Sequence, residues 1–267
     1  MARRRLAGRA PKPGKPRRGA APGGKGVRVN PGAVSFATIG EALESITDSS
    51  ARKQYVLTIA PGTYEERVTL KPYCFLRGSG QEETIVTAPP TPQQLGRGTI
   101  VTASNSGISD LTVRCVGGSW SEWSTALNVG ASSPFHAEDV TLVTDDEGNV
   151  GVNGETVGVN WNPSEAGPSQ VFLARATVIS KMSAQSVAVA LLVNDAQAQV
   201  TASKVVASGG TQSFGVHANG GATVTLEDCE ISGETFALAI PDGRSRLVAK
   251  GCRIDGPVGP GVQVVGG

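Results

Sequence analysis

The chain has 267 residues, of which 35 are glycine, 4% aromatic and 18% charged, with a formal net charge of +1. This composition fits a protein of many turns and short strands, and no stretch approaches the roughly 20 apolar residues of a membrane span. The charge is uneven: residues 1–26 carry nine basic residues and no acidic one, while the remainder has 15 basic against 23 acidic, a net of −8.

In chain order, the basic segment comes first and includes Arg3, Arg4, Arg5, Arg17 and Arg18 among four prolines and many glycines. It cannot bury enough apolar surface to fold alone, so residues 1–26 read as a flexible arm. It has a charged start but no apolar run of the kind a Sec signal needs. Synthesis in the cytoplasm is expected, followed by incorporation into a particle or export by a non-Sec route. The arm's charge suits docking on the acidic body, on another copy or on an assembly subunit.

Next, Thr38 followed by Glu41 is a capping box, and Ile39, Leu43 and Ile46 share one helical face, which predicts a helix over 38–46. An amphipathic helix ahead of a run of strands acts as a plug over an otherwise open core. Strands then follow around Tyr55–Ile59, 68–70, 74–76, 84–86 and 99–102, separated by turns such as Pro61-Gly62 and Gly78-Ser79-Gly80.

From about residue 109 a four-residue motif recurs six times, beginning at Asp110, Asp139, Ala176, Lys204, Asp228 and Gly251, with spacings of 29, 37, 28, 24 and 23 residues. Eight to 18 residues after the start of each copy lies a second short strand, around Leu127, Val157, Val187, Phe214, Phe236 and Val262. Self-similarity at this period, built from strands and turns, marks a stacked solenoid. Residues 27–267 are therefore expected to form one all-β domain, a parallel β-helix with a short N-terminal capping helix. Period-two alternation puts Leu127, Val157, Val187, Phe214 and Phe236 inside together with Val129, Val159, Val189, Val216 and Leu238. Longer excursions are expected at 114–124, 143–155 and 161–169. Cys229 and Cys252 fall at equivalent inward positions on successive turns, and reduced thiols are expected.

Part of the chain resembles the start of the pectin methylesterase family. The matching pieces are Ser35-Phe36-Ala37-Thr38-Ile39 with Glu41-Ala42-Leu43, Ile59-Ala60-Pro61-Gly62-Thr63-Tyr64-Glu65-Glu66, and Leu76-Arg77-Gly78-Ser79-Gly80 with Thr84-Ile85-Val86. The similarity covers about a third of the chain, continuing more weakly through Ile108 to Val129. It implies a right-handed parallel β-helix of the pectin-lyase-like kind. It also implies where an esterase would keep its two aspartates, its arginine and its oxyanion-stabilising glutamines. The first aspartate's place reads Val143-Thr144-Asp145-Asp146-Glu147, without the preceding glutamine. The second aspartate's place reads Val178-Ile179-Ser180-Lys181-Met182, without a carboxylate, and the Gly-Arg-x-Trp segment that supplies the arginine is missing. A carboxylate nucleophile needs a partner acid within hydrogen-bond reach, so the esterase site is expected to be lost.

The remaining candidates for chemistry are few. Asp110 and Asp139 hold equivalent positions on adjacent turns, and stacking would raise one of their pKa values; with Asp145 and Asp146 they form the only candidate catalytic set. The run 145–149 has oxygen ligands but not the alternating spacing of a calcium loop, so neither a metal nor a cofactor is expected. Trp120, Trp123 and Trp161 all lie in the excursions and could stack on sugar rings. Asn128, Gly158, Ala188, Gly215, Ala237 and Gly261 read as an uncharged outward strip suited to packing against another subunit or the arm, with His217 at its rim.

Together these features point to a non-catalytic β-helix serving as a structural or adhesive subunit of a larger assembly: a phage or phage-tail-like particle, or a surface structure. A polysaccharide is the further expected ligand. The alternative is a carbohydrate esterase of pectinesterase type with a rearranged site. Nucleic acid is not an expected partner, because the body is acidic and no aromatic residue interleaves the arm's charges; nor is a membrane.

Overall fold

The computed structural model describes residues 26–30, 34–92, 98–117, 122–130, 134–148, 153–159, 169–183 and 186–266. The basic arm, with Arg3, Arg4, Arg5, Arg17 and Arg18, lies outside the described residues except for Gly26. So do Trp120, Trp161 and most of the third expected excursion.

Strands stack in parallel into a right-handed β-helix. Each regular turn contributes three strands, as in Gln197–Thr201, Lys204–Gly209 and Gln212–Asn219, followed one turn later by Thr223–Glu227, Glu230–Gly233 and Phe236–Ala239. The first two strands of a turn meet at a corner held by a single residue with positive φ. Six successive turns use Asp110 (56°), Asp139 (52°), Arg175 (50°), Ala202 (46°), Asp228 (55°) and Gly251 (60°) there. A left-handed residue turns the chain sharply while its N–H stays in the ladder, as Ala202 N donates to Glu227 O at 2.9 Å and Asp228 N to Lys250 O at 3.0 Å. Aspartate tolerates this conformation better than most residues, which explains three of the six. The recurrent motif is thus the corner plus the strand after it. Its third copy is shifted by one residue, because Asp139 lies opposite Arg175 and Leu142 pairs with Val178. The fourth copy slips too: Lys204 pairs with Glu230, which puts Ala202 rather than Lys204 opposite Asp228.

The interior is a set of apolar ladders running along the tube. Leu127, Val157, Leu191, Val216 and Leu238 occupy one rung position in register and are all fully buried. Here the observed packing differs from strict alternation. The third strand of each turn bends where two consecutive residues face inward, as with Ala190-Leu191 and Ala237-Leu238. Period-two counting therefore inverts on one side of the bend. Ala188 and Ala237 are fully buried core residues, and Gly215 is buried against Ile231 and Ser232. Phe214 and Phe236, expected inside, are half-exposed instead.

The two ends of the tube are built differently. At the N-terminal end Val27–Asn30 runs antiparallel between Val34–Phe36 and Tyr55–Ile59, covering the edge of the first coil. The helix is shorter than 38–46 and spans Ile39–Glu44, with Ile39, Ala42 and Leu43 buried and Ile46 buried just beyond it. Half of the capping box forms: Thr38 Oγ1 accepts from Glu41 N at 3.1 Å. The first helical N–H groups donate instead to Glu66, Ile39 N to Oε1 at 2.8 Å and Gly40 N to Oε2 at 2.9 Å. At the other end Gln263–Val265 pairs on one side only, with Arg246–Lys250, and Val264 and Val265 are 47% and 45% exposed.

Two smaller features follow. Ser106–Val116, Glu122–Val129, Phe135–Asp145 and Asn153–Val159 run as strands well into the first two expected excursions. All four cysteines are buried and unbridged. Cys229 N points at Cys252 Sγ at 3.5 Å, and burial pushes the Cys229 thiol up to about 11. Among the described residues no helix is long and apolar enough to cross a membrane.

Candidate functional site

The four aspartates singled out by the sequence do not form one site. Asp110 and Asp139 sit side by side at the corner of neighbouring coils, whereas Asp145 ends the strand Phe135–Asp145 and Asp146 follows it. Six extended residues separate Asp139 from Asp145, a span of about 20 Å. Asp110 and Asp139 therefore stand apart from Asp145 and Asp146.

Three of the four carboxylates instead tie one coil to the next. Asp139 accepts a bidentate pair from Arg175, Nε to Oδ1 and Nη2 to Oδ2, both at 2.8 Å, and Arg175 also bonds Glu138. This pairing holds the Asp139 carboxyl below the usual range and raises the guanidinium of Arg175. Asp145 accepts from Glu147 N at 2.8 Å and faces Lys181 Nζ at 3.4 Å. Asp146 is 2% exposed and accepts from Gly148 N at 3.0 Å, Ser183 N at 2.6 Å and Ser183 Oγ at 2.7 Å. These bonds to backbone N–H groups and the Ser183 hydroxyl hold the acidic turn onto the following coil.

A cleft of about 750 Å³ lies at the Asp110 corner, lined by Glu82, Glu83, Asp110 and Asp139 with Thr112 and Thr141. Thr112 Oγ1 and Thr141 Oγ1 both donate to Gln81, at its carbonyl and Oε1 respectively, each at 2.6 Å. Among the described residues no three His, Cys, Asp or Glu side chains are grouped closely enough to hold a metal ion.

The expected sugar-binding residues are only partly visible. Trp123 lies on Glu122–Val129, with its backbone paired to Thr91 and Asn153, and its side chain is outside the described residues, as are Trp120 and Trp161 entirely. The expected outward strip is corrected. Asn128 is 3% exposed and Gly158 is buried, Ala188, Gly215 and Ala237 face the core, and only Gly261 is exposed. The register shows why: Gly158 pairs with Leu192, not Ala188, and the rung facing away from the core runs Asn128, Gly158, Leu192, His217, Ala239, all buried except the half-buried His217.

Sequence reasoning missed what the outside of that sheet does carry. Phe214 stacks on Phe236 of the next coil at 6.2 Å between centroids and on His217 at 4.9 Å. Burial pushes the His217 imidazole down, with Asp242 opposing. The signal was present in the equal placing of Phe214 and Phe236 one turn apart, but alternation assigned both rings to the core.

No family model matches the sequence, and no curated protein matches it significantly. Solved structures do match. Pectin methylesterase PemA from Erwinia chrysanthemi superposes with a TM-score of 0.53 at 12% identity, covering 88% of this chain and 90% of that one. Pectin methylesterases share this fold. The carrot enzyme gives 0.51 at 13% identity, covering 85% and 84%. Against a pectin methylesterase solved with a hexasaccharide, at TM-score 0.46 and 16% identity, 83% of this chain spans 62% of that chain's length. At these identities the likeness concerns the fold alone. Where the resemblance implies a second carboxylate, Lys181 stands in register with Asp145. A lysine opposite an aspartate makes an ion pair, not an acid–nucleophile pair.

Proposed function

We propose that the chain is a non-catalytic β-helix that works as a structural or adhesive subunit of a larger assembly, such as a phage or tail-like particle or a surface structure. The observation that carries this reading is the use of Asp139, Asp145 and Asp146 as ties between coils. A carboxylate locked to an arginine, a lysine or backbone N–H groups holds a coil in place and is not free to attack an ester or relay a proton. The charge distribution supports assembly, since nine basic residues precede a body of net charge −8. Partners are other copies or neighbouring subunits reached through the arm, and a polysaccharide reached through Trp120, Trp123 and Trp161.

Light scattering on the full chain and on residues 27–267 tests the reading. The full chain is expected to form a defined oligomer that weakens on truncation while the circular dichroism spectrum stays the same. Equal mass for both forms overturns the role of the arm. Glycan-array binding lost in the triple alanine variant of the tryptophans tests the adhesive part.

A further inference from the structure

The outer face of the first strand of each turn carries an aromatic rung line that is broken at one place. In register along the tube come Phe75, Gly107, His136 and Phe172. His136 and Phe172 stack nearly parallel, 4.7 Å apart with 10° between planes. The coil between Phe75 and His136 offers no side chain at Gly107, and the next outward residue on that strand is the small Ser109. A furrow one coil wide results, with Phe75 and Arg77 on one bank and His136 and Glu138 on the other. It encloses about 420 Å³. Glycine is required at its floor: a Cβ on Gly107 would come within 2.7 Å of the His136 carbonyl oxygen and 3.2 Å of the Phe75 ring.

The charges on the two banks differ in availability. Glu138 is already bonded to Arg175. Arg77 is exposed and lines the furrow, and its side chain makes no hydrogen bond or ion pair to any described residue. Two coil spacings separate the backbones of the two banks, about 9 to 10 Å, and outward of the closed floor this leaves room for one flat ring against His136. The free guanidinium, two residues along the strand from Phe75, supplies forked donors for an anion.

We propose that this furrow is a binding site for a flat aromatic ring carrying an anionic substituent. The ring sits outward of Gly107 against the free face of His136, and the anion meets Arg77 beside the Ser109 hydroxyl. The site lies on a different face from the Phe214–Phe236 stack and does not depend on the proposed assembly role.

Titration of the full chain by calorimetry and saturation-transfer NMR, with phenyl phosphate, phenol and inorganic phosphate as probes, tests the site. Phenyl phosphate is expected to bind saturably in the millimolar range or tighter, with phenol and inorganic phosphate each about tenfold weaker or more. Arg77→Ala should weaken phenyl phosphate about tenfold without changing phenol, and His136→Ala should weaken both. Both side chains are exposed, so each variant should keep the wild-type melting midpoint, and Arg77→Gln serves as a second variant of the same shape. Absence of saturable phenyl phosphate binding by the wild type, or equal binding by wild type and Arg77→Ala, overturns the proposal.

Discussion

The two ends of the tube solve the same problem in opposite ways. A stack of parallel coils exposes strand edges and core at both ends. At the N-terminal end the chain reverses direction, lays Val27–Asn30 antiparallel over the first coil and seats a two-turn helix whose Ile39 is fully buried. At the C-terminal end the described strands keep winding in parallel, and Val258, Val264 and Val265 remain 42%, 47% and 45% exposed. Covering the first coil therefore takes a change of strand direction and a helix anchored by a remote carboxylate.

The largest effect separating the ends should come from equal truncations. Ile39→Ala is expected to cost about 2 to 5 kcal/mol through lost burial and a cavity, whereas Val264→Ala should stay within about 0.5 kcal/mol. Urea unfolding of both variants checks this, and similar losses would show that the C-terminal end is as closed as the other. The next effect is alkaline. Cys229, in the last coils, has a thiol raised to about 11 by burial. The folded state therefore keeps a proton that the unfolded chain releases from about pH 8.5 upward. Stability should be fully present below that pH and fall by about 2 to 3 kcal/mol as pH rises towards 11. Cys229→Ala, compared over pH 8 to 11, should flatten the decline; an unchanged slope would place its cause elsewhere.

A smaller loss should follow Glu66→Ala, which leaves Ile39 N and Gly40 N without their acceptor, at about 1 to 3 kcal/mol. Hydrogen exchange should then speed up in the helix and in Val27–Asn30 while the last coils are unaffected. The smallest concerns Asp139 and Arg175, both well exposed, whose pairing is screened by solvent and salt. Because Asp139 is held below the ordinary carboxylate range, its contribution is present above the unfolded value of about 4 and is lost as pH falls through the folded value. The melting difference between wild type and Arg175→Gln should therefore narrow in acid and in high salt.

Much of this architecture was legible because solenoids write their period into the sequence. The spacing of Asp110, Asp139 and Asp228 marked coil length, and Thr38 with Glu41 marked the helix start. The bend in the third strand left no such mark. Two consecutive inward residues look like one more step of alternation, which puts Ala188 and Ala237 outside and Phe214 inside. Glu66 was visible only as part of the family resemblance, since a cap 27 residues away from Ile39 has no local pattern. The aspartates pose a related ambiguity. Corner aspartates recur because they tolerate positive φ, and that backbone role looks the same in sequence as a catalytic pair.

The central proposal is that Asp139, Asp145 and Asp146 tie coil to coil and take no part in ester chemistry. Methanol release from methyl-esterified pectin by the purified full chain tests it most directly. The account predicts a rate indistinguishable from buffer for wild type, Asp145→Asn and Asp146→Asn alike. Enzymic turnover by the wild type, abolished by either substitution, would contradict it.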